Sequence, residues 1–579
     1  MRILLVAINA KYVHSNLAIY NLKAYAEERS NIVDAHIELA EYTINQQLDE
    51  IIRNIYLKKP DFIAFSCYIW NIEYVKAVIT EVAKVLPTST IWVGGPEVSY
   101  CATEFLQDYP QVTGVMVGEG EETFAELVQQ YTAITSKVDD TDALEKVAGI
   151  IYRKDDIIIK NPLRRIMDLS KVPFVYHNVE AFKNKIIYYE SSRGCPFSCS
   201  YCLSSVDKNL RFRNTNLVKE ELSIFLKHKV KQVKFVDRTF NCNHKHAMEI
   251  WRYIHEHDNG ITNFHFEVAA DLMNNDEIQL LRSMRKGLVQ LEIGVQSTYM
   301  NTIREIKRVM EFPQVCEVVE AIQSGENIHQ HLDLIAGLPH ETIAIFKQSF
   351  NDVYELKPEQ LQLGFLKVLK GSYMYEQADA YGLVYQSIPP YEILCNKWIS
   401  YDDVLVLKGI EEMVEVYYNS GQFTYTMRTL ETIYDNGYEM YQALSNYYNY
   451  KKLRDGKHTR IARYEIMYAF IVEELERRNI EGIEQFYNCL MKDLYLRENI
   501  KTRPSFAKEY KVDKNLVRTF LEHEEETRQY LTGYEQYDKR QMSKMTHVEY
   551  LNNQHVLFDY KNRNPLTYEA STYVLEELM

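Results

Sequence analysis

From Arg2 to about residue 370 the chain alternates short apolar runs with helical stretches, and this alternation narrows the fold more than any other feature. "RILLVAI", "HIELAEY", "DFIAFSCY", "STIWVGG" and "VTGVMVG" read as strands. Amphipathic stretches such as "NLAIYNLKAYAEER" and "IEYVKAVITEVAKVL" separate them. Strands joined through helices pair in parallel, and a parallel sheet must be covered on both faces. Residues 1–150 are therefore expected to form a doubly wound, Rossmann-like α/β domain. "VAGIIYRKDDIIIKNP" reads as a closing hairpin that turns at Asp155 and Asp156. With the linker around Pro173 it occupies residues 151–180.

A second alternating series starts at "KIIYYESS" and ends at "QLQLGFLKVL", with six strand–helix steps in all. Residues 181–375 are expected to form a partial (βα)6 barrel. From 376 to 579 helical patterns dominate, apart from a terminal hairpin in "HVEYLNNQHVLFDYKNRNP". More than half of the 45 tyrosines lie beyond residue 380, which suits rings packed at half-buried surfaces.

Composition removes several function classes. Formal net charge is −15, which argues against a general nucleic-acid or membrane-surface binder. The basic stretch "KKLRDGKHTRIAR" reads as a solvated helix face. No run approaches the ~18 apolar residues of a membrane span, and the N-terminus does not read as a secretory signal. A cytoplasmic location is expected, where nine cysteines are not a disulfide framework.

Three of those cysteines stand within "SSRGCPFSCSYC", as Cys195-x3-Cys199-x2-Cys202. The segment follows the first strand of the second series, at the mouth where α/β sites form. A structural zinc site wants four ligands and a second arm, which is missing here. A redox pair of Cys199 and Cys202 would leave Cys195 without a role. An iron–sulfur cube usually takes four thiolates, so three leave one iron open for chemistry.

The C-x3-C-x2-C spacing, with Tyr201 before the last cysteine, resembles the radical S-adenosylmethionine (SAM) superfamily. That resemblance implies a [4Fe-4S] cluster on Cys195, Cys199 and Cys202. It implies SAM chelated at the open iron and cleaved by one electron to a 5′-deoxyadenosyl radical. Family landmarks fall at Asp237 in "FVDRTFN", Glu267 in "FEVAADL", Gly294 and Gln296 in "LEIGVQS", and Gly337 in "LIAGLPHET". With Tyr201, these are the residues the resemblance offers to SAM. Lys370-Gly371-Ser372 departs from the Pro-Gly-Thr frequent at the sixth strand.

Gly94 and Gly95 end one strand of the first series, and Gly118-Glu119-Gly120-Glu121 ends the next. No G-x-G-x-x-G follows the first strand, which disfavours a dinucleotide. Followed by a radical barrel, this sheet resembles the cobalamin-binding branch of the superfamily. The resemblance puts Ser66, Gly94 and Gly95 along the cobalamin tail and turns the Gly118–Glu121 loop toward the barrel. The sequence lacks the D-x-H-x-x-G of cobalt-ligating domains, and His14 has no acidic neighbour to orient it.

The resulting expectation is a cobalamin-dependent radical SAM enzyme that methylates a carbon of a small-molecule or peptide substrate. A flavodoxin- or ferredoxin-type donor would supply electrons, and residues 376–579 would cap the barrel and select substrate. Oxidative cyclisation or rearrangement is the alternative. A tRNA methylthiotransferase would need three N-terminal cysteines where only Cys67 and Cys101 stand, and a non-catalytic sensor would not need an open iron.

Overall fold

The computed structural model describes residues 1–29, 35–135, 143–206, 208–508 and 512–575. The chain divides into two compact units. The first comprises Met1–Ile328, Gly337–Glu341 and Phe365–Ser400; the second comprises His329–Ala336, Thr342–Gly364 and the residues from Tyr401 on.

The first unit opens with a seven-stranded sheet. Its strands are β1 (Arg2–Asn9), β2 (His36–Thr43), β3 (Phe62–Ser66), β4 (Thr90–Gly94), β5 (Gly114–Met116), β6 (Ile150–Lys154) and β7 (Ile157–Lys160). Their spatial order is β2-β1-β3-β4-β5-β6-β7. The first five run parallel, and the hairpin β6–β7 adds an antiparallel edge. Asp155 turns that hairpin at a φ of 54°.

β1 explains why this sheet is covered on both faces. Leu4, Val6 and Ile8 join one apolar cluster with Ile51, Ile55, Val75 and Val78 from helices Leu48–Lys58 and Ile72–Val85. Ile3, Leu5 and Ala7 join another with Ile19, Tyr25, Phe124 and Val128 from helices Leu17–Arg29 and Glu121–Thr135. Alternate side chains of one strand thus feed two separate cores. The chain forms β2 on one side of β1 and β3 on the other. Their C-terminal ends make the topological switch point at which such sheets bind ligands.

β8 (Ile187–Tyr189) starts the second sheet. A short antiparallel bridge of β9 (Ser192–Arg193) with β10 (Arg211–Phe212) then brackets the cysteine segment. β11 (Gln232–Phe235), β12 (Asn263–Val268) and β13 (Val289–Gln296) follow, and β8-β11-β12-β13 pair in parallel in that order. The remaining two of the six expected strands, β14 (His329–Ala336) and β15 (Gln360–Phe365), are neighbours and, apart from Phe365, belong to the second unit. Residues Phe365–Ser400 return to the first unit and carry the small antiparallel pair β16 (Val384–Tyr385) and β17 (Ile393–Cys395).

From Tyr401 the second unit is mainly helical, with a π-helical turn at Glu415–Asn419. Tyr417, Tyr441, Tyr448 and Tyr464 are among its core residues, and their hydroxyls find partners. The hydroxyls of Tyr417 and Tyr448 lie 2.6 Å apart, and Tyr464 donates to the Gln422 carbonyl at 2.7 Å. The expected terminal hairpin is β18 (Thr546–Leu551) with β19 (Gln554–Arg563). A third strand that the sequence reading did not contain, β20 (Ala570–Leu575), pairs beside β19. In the basic stretch, Lys451 pairs with Glu473 and Arg460 with Glu498. Among the described residues no helix is long and apolar enough to cross a membrane.

Candidate cofactor site

The cysteine segment leaves β8 through two serines that rest on one buried carboxylate. Asp237, just past β11, accepts the Ser191 amide at 3.0 Å, the Ser191 hydroxyl at 2.6 Å and the Ser192 hydroxyl at 2.6 Å. Its side chain is fully buried. Burial pushes the carboxyl up to about 6, against the pull of these donors. Asp237 therefore supports the loop from beneath. Both of its oxygens are engaged by Ser191 and Ser192.

Gly194 comes next, at a φ of +93°, and a Cβ there would stand 2.6 Å from the Asn209 carbonyl oxygen. Only glycine fits this approach of one strand of the bridge to the other. Past Cys195, the Ser200 amide donates to the Ile306 carbonyl at 2.8 Å. The Ser205 hydroxyl reaches the carbonyls of Cys199 at 2.8 Å and Cys202 at 2.6 Å. The backbone is thus fixed by bonds that involve none of the sulfurs.

Cys195 and Cys199 are buried and Cys202 half-buried. Three thiolates presented by one tied-down loop suit a cluster in which each takes its own iron. Burial pushes the Cys199 thiol up, while Arg308 beside it draws it down. The Arg308 Nη1 lies 3.8 Å from the Cys199 sulfur, and its Nη2 donates to the Gly294 carbonyl. Tyr201 packs among the same groups, its hydroxyl pushed up by burial.

Gly294 and Gln296 lie at the end of β13, beside Arg308. Gln296 has a φ of 73°, a costly conformation for a residue with a side chain. Its Oε1 and the Arg308 Nε are buried and have no hydrogen-bond partner among the described residues. An orphaned acceptor and an orphaned donor beside Cys199 are what a polar ligand at the cluster would satisfy. Glu267 sits on β12 opposite Glu292 of β13. Gly337 has a φ of +88° and presses on Ile393, and its carbonyl accepts Asn396 at 2.8 Å, so its role in the fold is a tight packing contact.

At the mouth of the first sheet, Ser66 pairs with Gly94 in register, and its hydroxyl accepts the Asn16 amide group at 3.0 Å. A Cβ on Gly95, at φ +114°, would meet the Cys67 carbonyl oxygen at 2.4 Å, whereas one on Gly94 would find only ordinary contacts near 3.5 Å. Gly95 is required by the backbone, and Gly94 leaves room. Gly118, at φ +81°, has open space where a side chain would be, and a Cβ on Gly120 would press on Leu22. Glu119 and Glu121 are engaged with the cysteine side of the unit. Arg193 donates to Glu119 at 2.9 Å and to Glu121 at 2.8 Å, and Arg211 also pairs with Glu119. Burial pushes Glu121 up, but Arg193 outweighs it and holds the carboxyl below its usual range. His14 Nδ1 lies 2.6 Å from the Tyr188 hydroxyl.

Sequence reasoning missed Arg193, Arg211 and Arg308. Arg193 was visible as a lone charge before Gly194-Cys195, but its partners lie 72 and 74 residues away. Nothing near Arg308 in the sequence marks it.

Three family models match the chain: a B12 binding domain over residues 3–128, the radical SAM superfamily over 189–353, and a protein of unknown function, DUF4080, over 379–575. The chain is 25% identical over 384 residues to the cobalamin-dependent radical SAM methyltransferase TokK of Streptomyces tokunonensis, covering 62% of this chain and 55% of that one. It is 21% identical over 356 residues to the anaerobic magnesium-protoporphyrin IX monomethyl ester cyclase of Cereibacter sphaeroides, covering 58% and 55%. The matched part spans little more than half the length of either relative. The structure of the cobalamin-dependent SAM radical enzyme OxsB with aqua-cobalamin and SAM bound aligns at a TM-score of 0.57 and 15% identity, over 85% of this chain and 78% of that one. One chain thus joins a segment that matches the B12 binding domain, a segment that matches the radical SAM superfamily and a further C-terminal domain.

Proposed function

We propose that this enzyme methylates a carbon of a small-molecule or peptide substrate by radical chemistry. The observation that carries this reading is the meeting of two loops: the Gly118–Glu121 loop of the B12 binding domain is ion-paired to the strand that leads into Cys195. Two cofactors held at these loops would face one reaction space. When bound, the cluster and SAM supply a 5′-deoxyadenosyl radical, and methylated cobalamin supplies the methyl group.

The chain's own residues prepare that space. Cys195, Cys199 and Cys202 would hold the cluster. Gln296 and Arg308 would orient SAM through the acceptor and donor that have no protein partner. Ser66, Gly94 and Gly95 would line the path of the cobalamin tail, with the Gly118–Glu121 loop closing it. His14 would not ligate cobalt: the D-x-H-x-x-G of cobalt-ligating domains is missing around it, and its Nδ1 partner is the Tyr188 hydroxyl rather than a carboxylate. Residues 376–579 would select the substrate and shut out water. A flavodoxin- or ferredoxin-type protein in the cytoplasm would deliver the electron.

The relative that closes a ring in magnesium-protoporphyrin ester supports a second reading, oxidative cyclisation. Anaerobic reconstitution with iron, sulfide and cobalamin, followed by mass spectrometry of cofactors and product, separates the two. Methylation adds one methyl group and cyclisation removes hydrogen. A reconstituted protein that binds no cobalamin overturns both.

A further inference from the structure

Arg193 occupies an unusual place. It lies on β9, two residues before Cys195, and its guanidinium is engaged on every side. The Nη1 donates to Glu119 at 2.9 Å and the Nη2 to Glu121 at 2.8 Å. The Nε and Nη2 also donate to Glu190, at 2.9 and 2.7 Å. All four side chains are largely buried, with exposures of 19% for Arg193, 19% for Glu119, 7% for Glu121 and 17% for Glu190. Glu119 and Glu121 belong to the first sheet's loop, and Glu190 follows β8.

A buried ionic joint is a poor device for stability alone, because desolvation of the charges offsets most of their attraction. Its advantage over an apolar joint is direction. A planar guanidinium fixes each carboxylate at a set angle, and a lysine at the same place would not. Here the fixed directions connect the loop that ends β5 to the segment that carries the first cysteine. Between them stands only Gly194, packed so close to Asn209 that a Cβ there would stand 2.6 Å from its carbonyl oxygen. A displacement of the Gly118–Glu121 loop is therefore transmitted to Cys195.

We propose that Arg193 is a positioning residue that couples cobalamin binding at the first sheet to the geometry of the cluster loop. This rests on the functional reading above. Coupling is reciprocal, so cobalamin must bind with different affinity to protein with and without the cluster.

The test is a cobalamin titration of full-length protein, followed by absorbance, before and after anaerobic cluster reconstitution. The wild-type affinity ratio is expected to be about 10-fold, within the usual span of such couplings. In Arg193→Gln both cofactors should still bind, with the ratio falling to about 1. Arg193→Lys should restore part of it, since charge returns without the fork. The magnetic resonance signal of the reduced cluster should shift on cobalamin addition in the wild type and stay still in Arg193→Gln. If Arg193→Gln does not fold, Glu121→Gln removes one arm alone and should lower the ratio. A wild-type ratio of 1, or a ratio unchanged in the folded variants, overturns the coupling. Wild-type protein that takes up no cobalamin overturns the functional reading itself, a separate and visible failure.

Discussion

The loop after β8 and the segment after β4 both end strands of parallel sheets, and they are built in opposite ways. The first is held by side chains: a carboxylate beneath two serines, a serine hydroxyl on two carbonyls, an arginine against a cysteine sulfur. The second is shaped by their absence, with Gly95 against the Cys67 carbonyl and Gly94 at ordinary contact distance from Met116. A site that supplies thiolates must fix where each sulfur points. A site that receives a bulky ligand must keep the backbone close and bare. Similar architecture thus yields a donor loop in one place and a docking edge in the other.

The largest effect should come from the donor loop. Replacing Cys195, Cys199 and Cys202 together by Ala should remove nearly all reconstituted iron and its visible absorbance, while near-native circular dichroism remains. Full iron retention would falsify the ligand assignment and with it the contrast between the two loops.

Asp237 comes next. Asp237→Ala strands three buried donors and should cost about 1–3 kcal/mol in denaturant unfolding. Asp237→Asn keeps an acceptor for the Ser191 amide and lets the hydroxyls turn. The native carboxyl is raised from 3.8 to about 6, so its stabilising share is complete below the unfolded value and lost as pH rises through 6. That loss amounts to about 3 kcal/mol. The Asn variant should therefore gain on the wild type between about pH 4 and 6 and hold that gain above it, as read from urea midpoints. A constant difference across that range would show that the buried carboxyl does not titrate with the loop.

The two glycines sharpen the other side. Gly95→Ala must take a strained φ and displace the Cys67 carbonyl, at about 1–3 kcal/mol. Gly94→Ala should leave stability within about 0.5 kcal/mol and weaken cobalamin binding. Equal stability losses would mean that Gly94 serves packing only. The smallest effect belongs to His14→Ala. The Co(II) resonance of bound cobalamin should show no imidazole splitting in wild type and no change in the variant; a splitting lost on substitution overturns the assignment.

Much of the first unit was legible because its chemistry is local. β1 alternates between two cores, and each strand is short enough to read from its own residues. The cysteines announce themselves by spacing. What the sequence did not disclose depends on distant partners. Arg308 meets Cys199 from 109 residues away. Asp237 was visible at a strand end, but its burial under Ser191 and Ser192, 46 and 45 residues earlier, was not. Beyond Tyr401, tyrosines blur the line between core and surface. There the π-helical turn and the strand β20 left no periodic signature.

The support under the cysteine loop has a consequence for maturation. Its backbone is tied by Asp237, Gly194, Ser200 and Ser205 without recourse to sulfur. The conformational entropy of ordering that loop is lost when the chain folds, not when iron arrives. Metal affinity is then not diluted by the work of folding, unlike in small domains that are shapeless until metal binds. A chelator should strip such a protein to a folded shell, and the shell should be ready to be filled again.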